Sequence, residues 1–147
     1  MKSPVTDICN LNNELPPDAP DAPKWLVDAL QVPREEGWVN SDGCNVHYFR
    51  WGDPENPPLL LMHGFLAHAR CMAFIAPFLA EQYHVVAYDL SGMGDSGVRS
   101  SYPDAVRAQE VIDVARETGL FDHAIKPIVI AHSYGGHVGL AAMNDFH

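Results

Sequence analysis

The sequence predicts an α/β fold: an N-terminal hairpin leads into a mostly parallel sheet with helices on both faces. Three observations carry this. Asp42-Gly43 sits between two apolar runs, a strong signal for a tight hairpin turn. Three short, uninterrupted apolar runs follow at Leu59–Met62, Val85–Tyr88 and Ile128–Ala131. Such runs suit strands buried on both faces, as parallel strands are. Between the runs, apolar residues recur at helical spacing, which gives the alternation of a parallel α/β unit.

The elements follow in order. Residues 1–22 form a polar, proline-punctuated leader, and half of the 12 prolines fall before residue 34. The domain is expected over residues 23–147. Lys24–Leu30 reads as a short helix with Pro23 at its first position and Trp25, Leu26 and Ala29 on one side. Trp38-Val39 and Asn45–Trp51 form the hairpin arms. Met72, Ile75, Ala76 and Leu79 match one helix face, and Ala108, Val111, Ile112 and Ala115 match another. Pro103 marks the start of the second helix and Gly119 its end. Val138, Leu140, Ala141 and Met143 suggest a last helix.

A chain of 147 residues, 47% hydrophobic and 19% charged, can bury one sizeable core. Its net charge of -10 argues against a nucleic-acid partner, which would require a basic surface. The three cysteines, Cys9, Cys44 and Cys71, have neither disulfide-framework nor zinc-site spacing, so a reduced, cytoplasmic setting is expected. No apolar run approaches the roughly 18 residues of a membrane span, and the first twenty residues lack the apolar stretch of a secretion signal.

Parallel strands deliver their C-terminal ends to one sheet edge, where ligands bind. The segments expected there are His63-Gly64-Phe65, Asp89-Leu90-Ser91-Gly92 and His132-Ser133-Tyr134-Gly135-Gly136. The third has the form of a nucleophile elbow. Its serine stands on a sharp strand-to-helix turn, flanked two residues away on either side by the small residues Ala131 and Gly135. Ala131 replaces the more usual glycine and still keeps that position small. Gly136 is expected to leave room for the following helix to pack closely. Ser133 is therefore the candidate nucleophile. The N–H groups of Tyr134, at the helix N-terminus, and of Phe65, in the loop after the first buried strand, are the candidate oxyanion donors. His63 and Gly64 support that loop, with His63 expected to brace it rather than to serve as a base.

On these motifs and their order, and on Asp89-Leu90-Ser91-Gly92-Met93-Gly94-Asp95-Ser96-Gly97 between them, the chain resembles the α/β-hydrolase family from about residue 23 onward. The resemblance implies a cofactor-free serine hydrolase that acts on a small molecule with an ester-like or related carbonyl, through an acyl-enzyme on Ser133. In that family the acid and the histidine of the triad follow the serine along the chain. Only Asp145 and His147 are available here, and a helix over residues 135–146 would carry them away from Ser133. The expectation is an incomplete α/β-hydrolase fold, the N-terminal part only, with an unpaired sheet edge that favours self-association. A binding module that keeps the fold without the chemistry is the alternative.

Two further motifs have ordinary readings. Gly92–Gly97 matches G-x-G-x-x-G, but no helix opens at once and Glu117, near the right distance, falls within a helical pattern. A tight loop is the better account. His63 and His68 have no metal-ligand spacing, so no metal site is expected.

Overall fold

The computed structural model describes residues 22–143. Its elements run α1 (Lys24–Gln31), β1 (Glu35–Ser41), β2 (Cys44–Trp51), β3 (Pro58–Met62), a 3-10 turn (Ala69–Met72), α2 (Ala76–Leu79), β4 (His84–Tyr88), α3 (Asp104–Glu117), β5 (Ile128–Ala131) and α4 (Tyr134–Ala142). The five strands form one sheet in the order β1-β2-β4-β3-β5. β1 pairs antiparallel with β2, and β2 with β4; β3 runs parallel to both β4 and β5.

Local chemistry accounts for the turns. Asp42 and Gly43 both have positive φ, at 45° and 75°, as the two-residue hairpin requires. Helix α3 starts directly after Pro103. It ends in a Schellman motif: Gly119 (φ 79°) donates to the Arg116 carbonyl and Leu120 to that of Ala115.

Strand periodicity divides the core between the two sheet faces. Leu60, Met62, Val86 and Tyr88 pack with Val111, Val114 and Ala115 of α3 and Val138 of α4. Leu59, Leu61, Val85 and Ala87 pack on the other side with Phe49, Trp51, Leu30, Ala73 and Ala76. Helices and turns thus cover both faces of the central strands.

Four expectations are corrected. The helix foreseen over residues 72–79 is split, because Pro77 has no N–H to give the Ala73 carbonyl; only Ala76–Leu79 is α-helical, and Ile75 stays exposed. In α1, Pro23 is the cap rather than the first helical residue; Ala29 and Leu30 are buried while Trp25 is exposed and rests near Phe78. Strand β5 is not covered on both faces: Ile128 and Ile130 are exposed at the sheet edge, as are Leu140 and Met143 of the neighbouring helix region. On the opposite face of β5 from these isoleucines, a groove of about 450 Å³ lies between Val129 and Ala131 of the strand and Gly136, Gly139, Leu140 and Met143. Gly136 makes no close packing, since a Cβ there would meet nothing within 4 Å. Residues 1–21 and 144–147, including Cys9, Asp145 and His147, lie outside the described residues.

Candidate active site

The parallel arrangement of β4, β3 and β5 brings their three C-terminal segments together. The β5–α4 junction is held on the end of β3: the His132 N–H donates to the Met62 carbonyl at 3.0 Å. Ser133 then adopts φ 51° and ψ -116°, a conformation that L-residues rarely occupy. The turn is closed by Gly135 N–H donating to the His132 carbonyl and Gly136 N–H to that of Ser133, each at 2.9 Å. The Ser133 side chain is left exposed at the start of α4.

Close backbone approach explains two of the glycines. A Cβ on Gly135 would stand 2.5 Å from the His63 carbonyl oxygen and 3.0 Å from that of Met62. A Cβ on Gly64 would stand 2.8 Å from His132 Nδ1 and 3.4 Å from Ser133 Cβ. The loop after β3 therefore lies directly against the elbow. Phe65 continues that loop, with its ring edge-on to the Tyr134 ring at 5.8 Å. Among the described residues, no hydrogen bond engages the Phe65 N–H or the Tyr134 N–H.

His63 ties this loop to the next strand end. Its Nε2 accepts from the Leu90 N–H at 3.1 Å, so Nδ1 carries the proton and donates to the Gly64 carbonyl at 2.7 Å. Burial holds its pKa below the ordinary histidine value, which favours this neutral form. With both nitrogens engaged, His63 has no ring nitrogen available to receive a proton from Ser133.

The glycine-rich segment after β4 is a loop wrapped around Asp89. Asp89 is fully buried and accepts from the Ala69 N–H at 2.5 Å, the Asp95 N–H at 2.9 Å and His47 Nδ1 at 2.7 Å. Burial alone would raise its pKa; these hydrogen bonds outweigh burial and lower it. Gly94 (φ 53°) passes so close that a Cβ would collide with this carboxylate. The next helix opens only at Asp104 and Glu117 ends that helix, so the spacing seen in the sequence belongs to a tight turn.

Sequence reasoning missed a buried polar network beside the site. Glu110 lies in the apolar stripe of α3 and is fully buried. It accepts from the Ser91 hydroxyl, from Arg99 Nε at 2.8 Å and from Arg107 Nη1 at 3.3 Å. Arg107 also donates to the Ser91 carbonyl at 2.8 Å, and its guanidinium lies 6.0 Å from the centre of the Tyr134 ring. The available signal was two charged residues at i and i+3, Arg107 and Glu110, within an otherwise apolar helix face.

The model of the "Alpha/beta hydrolase family" matches residues 59–147. "Uncharacterized hydrolase YugF" of Bacillus subtilis (strain 168) is 27% identical over 103 residues, covering 69% of this chain and 36% of that protein. "Soluble epoxide hydrolase" of Corynebacterium sp. (strain C12) is 31% identical over 111 residues, covering 75% of this chain and 36% of that protein. This chain thus spans about a third of the length of these relatives. Among solved structures, 2-hydroxy-6-oxo-6-phenylhexa-2,4-dienoate hydrolase from Rhodococcus sp. strain RHA1 superposes with a TM-score of 0.66 at 30% identity, over 77% of this chain and 42% of that one. With these sequence matches added to the sheet order and the elbow, the chain belongs to the alpha/beta hydrolase family, of which it carries the sheet from the N-terminal hairpin through the strand and helix that flank Ser133.

Proposed function

We propose that Ser133 is the nucleophile of a serine hydrolase that acts on a small-molecule ester or related carbonyl compound. The observation that carries this reading is the backbone of Ser133, at φ 51° and ψ -116° between β5 and α4. A residue is held in so unfavourable a conformation only where the surroundings over-determine it, and such strain concentrates at functional sites. In the reaction, Ser133 Oγ forms a bond to the acyl carbon and its proton passes to a base. The leaving group departs with a proton, and water then cleaves the acyl-enzyme to release the acid and restore the serine. The Phe65 and Tyr134 N–H groups hold the oxyanion, and loss of one such donor costs about 10²–10³ in rate. His63 positions the Phe65 loop.

The Corynebacterium relative is named an epoxide hydrolase, but the chemistry of a serine nucleophile favours acyl transfer here. A serine opening an epoxide would be left as an alkyl ether, which offers water no carbonyl to attack. A serine ester is readily hydrolysed.

The test is covalent labelling. Given a base within reach of Ser133, a fluorophosphonate probe should modify it, located by peptide mass spectrometry, and Ser133→Ala should abolish the adduct. Labelling that persists in Ser133→Ala, or that maps to another residue, overturns the assignment.

A further inference from the structure

Away from the elbow, at the β1–β2 side of the sheet, one imidazole and two carboxylates converge. His47 is fully buried, whereas the side chains of Glu36 and Asp95 are 45% and 44% exposed. One potential ligand atom from each of Glu36, His47 and Asp95 lies within 4.8 Å of the others. The pairing register explains the assembly: Trp38 faces His47 and Glu36 faces Phe49, so Glu36 lies diagonally across from His47 on the same sheet face. The loop around Asp89 supplies Asp95.

The ring of His47 is held in a metal ligand's orientation. Its Nδ1 lies 2.7 Å from the buried Asp89 Oδ2, which leaves Nε2 directed at Glu36 Oε1, 2.8 Å away. A carboxylate behind the non-ligating nitrogen fixes both the tautomer and the direction of a metal-bound imidazole. Rings also fix it in place: Trp38 packs at 5.0 Å and Phe49 at 4.6 Å between centroids. A second observation lies on the adjoining loop. His68 Nδ1 is buried with no hydrogen-bond partner among the described residues, and its ring lies in the field of Asp89 and Asp95.

Charge favours a cation at this point. Arg70 pairs with Asp95 at 2.5 Å. With His47 neutral, as a metal ligand must be, the carboxylates of Glu36, Asp89 and Asp95 outnumber the two nearby guanidiniums, of Arg34 and Arg70, and a divalent ion takes the place of the Nε2 proton. Imidazole with carboxylate oxygens suits zinc and its first-row neighbours better than magnesium or calcium. Two ligands on a tetrahedral zinc ion stand about 3.4 Å apart for bonds of about 2.1 Å. The exposed side chains of Glu36 and Asp95 have the rotamer freedom to close the remaining distance, Asp95 by releasing Arg70.

We propose that Glu36, His47 and Asp95 form a binding site for a divalent transition-metal ion, with Zn²⁺ the best match, and with Asp89 orienting His47. The bound ion would join the β1–β2 hairpin to the loop after β4, where Asp89 also receives the Ala69 N–H. The three residues are far apart in sequence, so no ligand spacing announces them.

The test is titration of the metal-stripped chain with Zn²⁺ by calorimetry, repeated with Glu36→Gln and Asp95→Asn. Both residues are exposed, so the variants keep the fold; His47→Gln removes a buried partner of Asp89 and is not needed. One ion per chain should bind, at least 10-fold more weakly in each variant. His137→Gln, which alters the separate surface pair of His137 with Asp104, should bind as the parent does. No uptake by the parent, affinity within twofold of the parent in both variants, or loss on His137→Gln instead, each overturns the site.

Discussion

The conformation of Ser133 makes a stability prediction that is independent of turnover. Two substitutions remove the hydroxyl. Ser133→Ala keeps a Cβ at φ 51°, ψ -116°, whereas Ser133→Gly removes it. The loss of the hydroxyl is common to both, so their difference isolates the backbone. An L-residue in a sparsely populated region of this kind costs roughly 1–3 kcal/mol. Glycine returns about 0.5–1 kcal/mol of that through the extra entropy of the unfolded chain. Ser133→Gly should therefore be more stable than Ser133→Ala by about 0.5–2 kcal/mol. For a chain of this size each kcal/mol corresponds to roughly 2–4 °C in Tm. Urea and thermal unfolding of the two variants, followed by circular dichroism, measure the difference. If Ser133→Gly is equal to or less stable than Ser133→Ala, the elbow is not strained in solution and the main support for the nucleophile assignment is lost.

Three further outcomes are expected. Gly135→Ala places a Cβ 2.5 Å from a backbone oxygen and should destabilise by about 1–3 kcal/mol or more, whereas Gly136→Ala, with open space around it in a helix, should stabilise by about 0.5–1 kcal/mol; denaturant midpoints that fail to separate the two would contradict the packing described here. Burial lowers the pKa of His63 and of His84, so their contribution to stability is complete above the unfolded value near 6.5 and is lost as pH falls through their folded values. Below about pH 6.5 the unfolding free energy should fall with an uptake of up to about two protons from this pair; His84→Gln should remove about one of them, and an unchanged slope in that variant would refute its role. Finally, among the described residues β5 pairs with β3 alone, and Ile130 is 48% exposed on it. Antiparallel pairing of this edge with the same edge of a second copy should make the 147-residue chain associate, and Ile130→Lys should shift it toward monomer in sedimentation velocity; a monomeric parent chain would show that the edge is not used.

The features readable from sequence are those fixed by local chemistry. Asp42-Gly43 specified its own hairpin because only residues tolerant of positive φ fit both central positions. Gly119 ended α3 for the same reason. The elbow was legible because its small flanking residues answer a steric demand within five positions, and Gly135 lies where that demand is greatest. Gly136 shows the limit of such reasoning: it has the same residue type and is one position away, yet its Cβ direction is open. Pro77 was visible in the sequence, but periodicity alone could not weigh one missing hydrogen bond against a matching apolar face, and the missing bond prevailed.

What sequence could not supply is the polar scaffold that depends on strand pairing. Asp89 reads as the first residue of a glycine-rich turn; in the fold it is the centre of that turn, with the Asp95 N–H of the turn, the Ala69 N–H of the 3-10 turn after β3 and His47 pointed at its carboxylate. His47 is 42 residues away and meets it only because β2 pairs with β4. Glu110 likewise reaches Ser91 across 19 residues, and two arginines hold its charge in the core. A buried charge of this kind is costly unless paired, and breaking such a pair typically destabilises by about 3–5 kcal/mol. Both clusters grip the segment that follows β4, and His63 bonds the Leu90 N–H in that same segment. The loop beside Ser133 is thus anchored through His63 to a turn fixed by Asp89 on one side and by Glu110 with Arg107 on the other. The sheet edge that presents Ser133 is held by residues chosen for their partners rather than their neighbours, which is why the strand-to-helix turn at Ser133 could be read from its own six residues and its support could not.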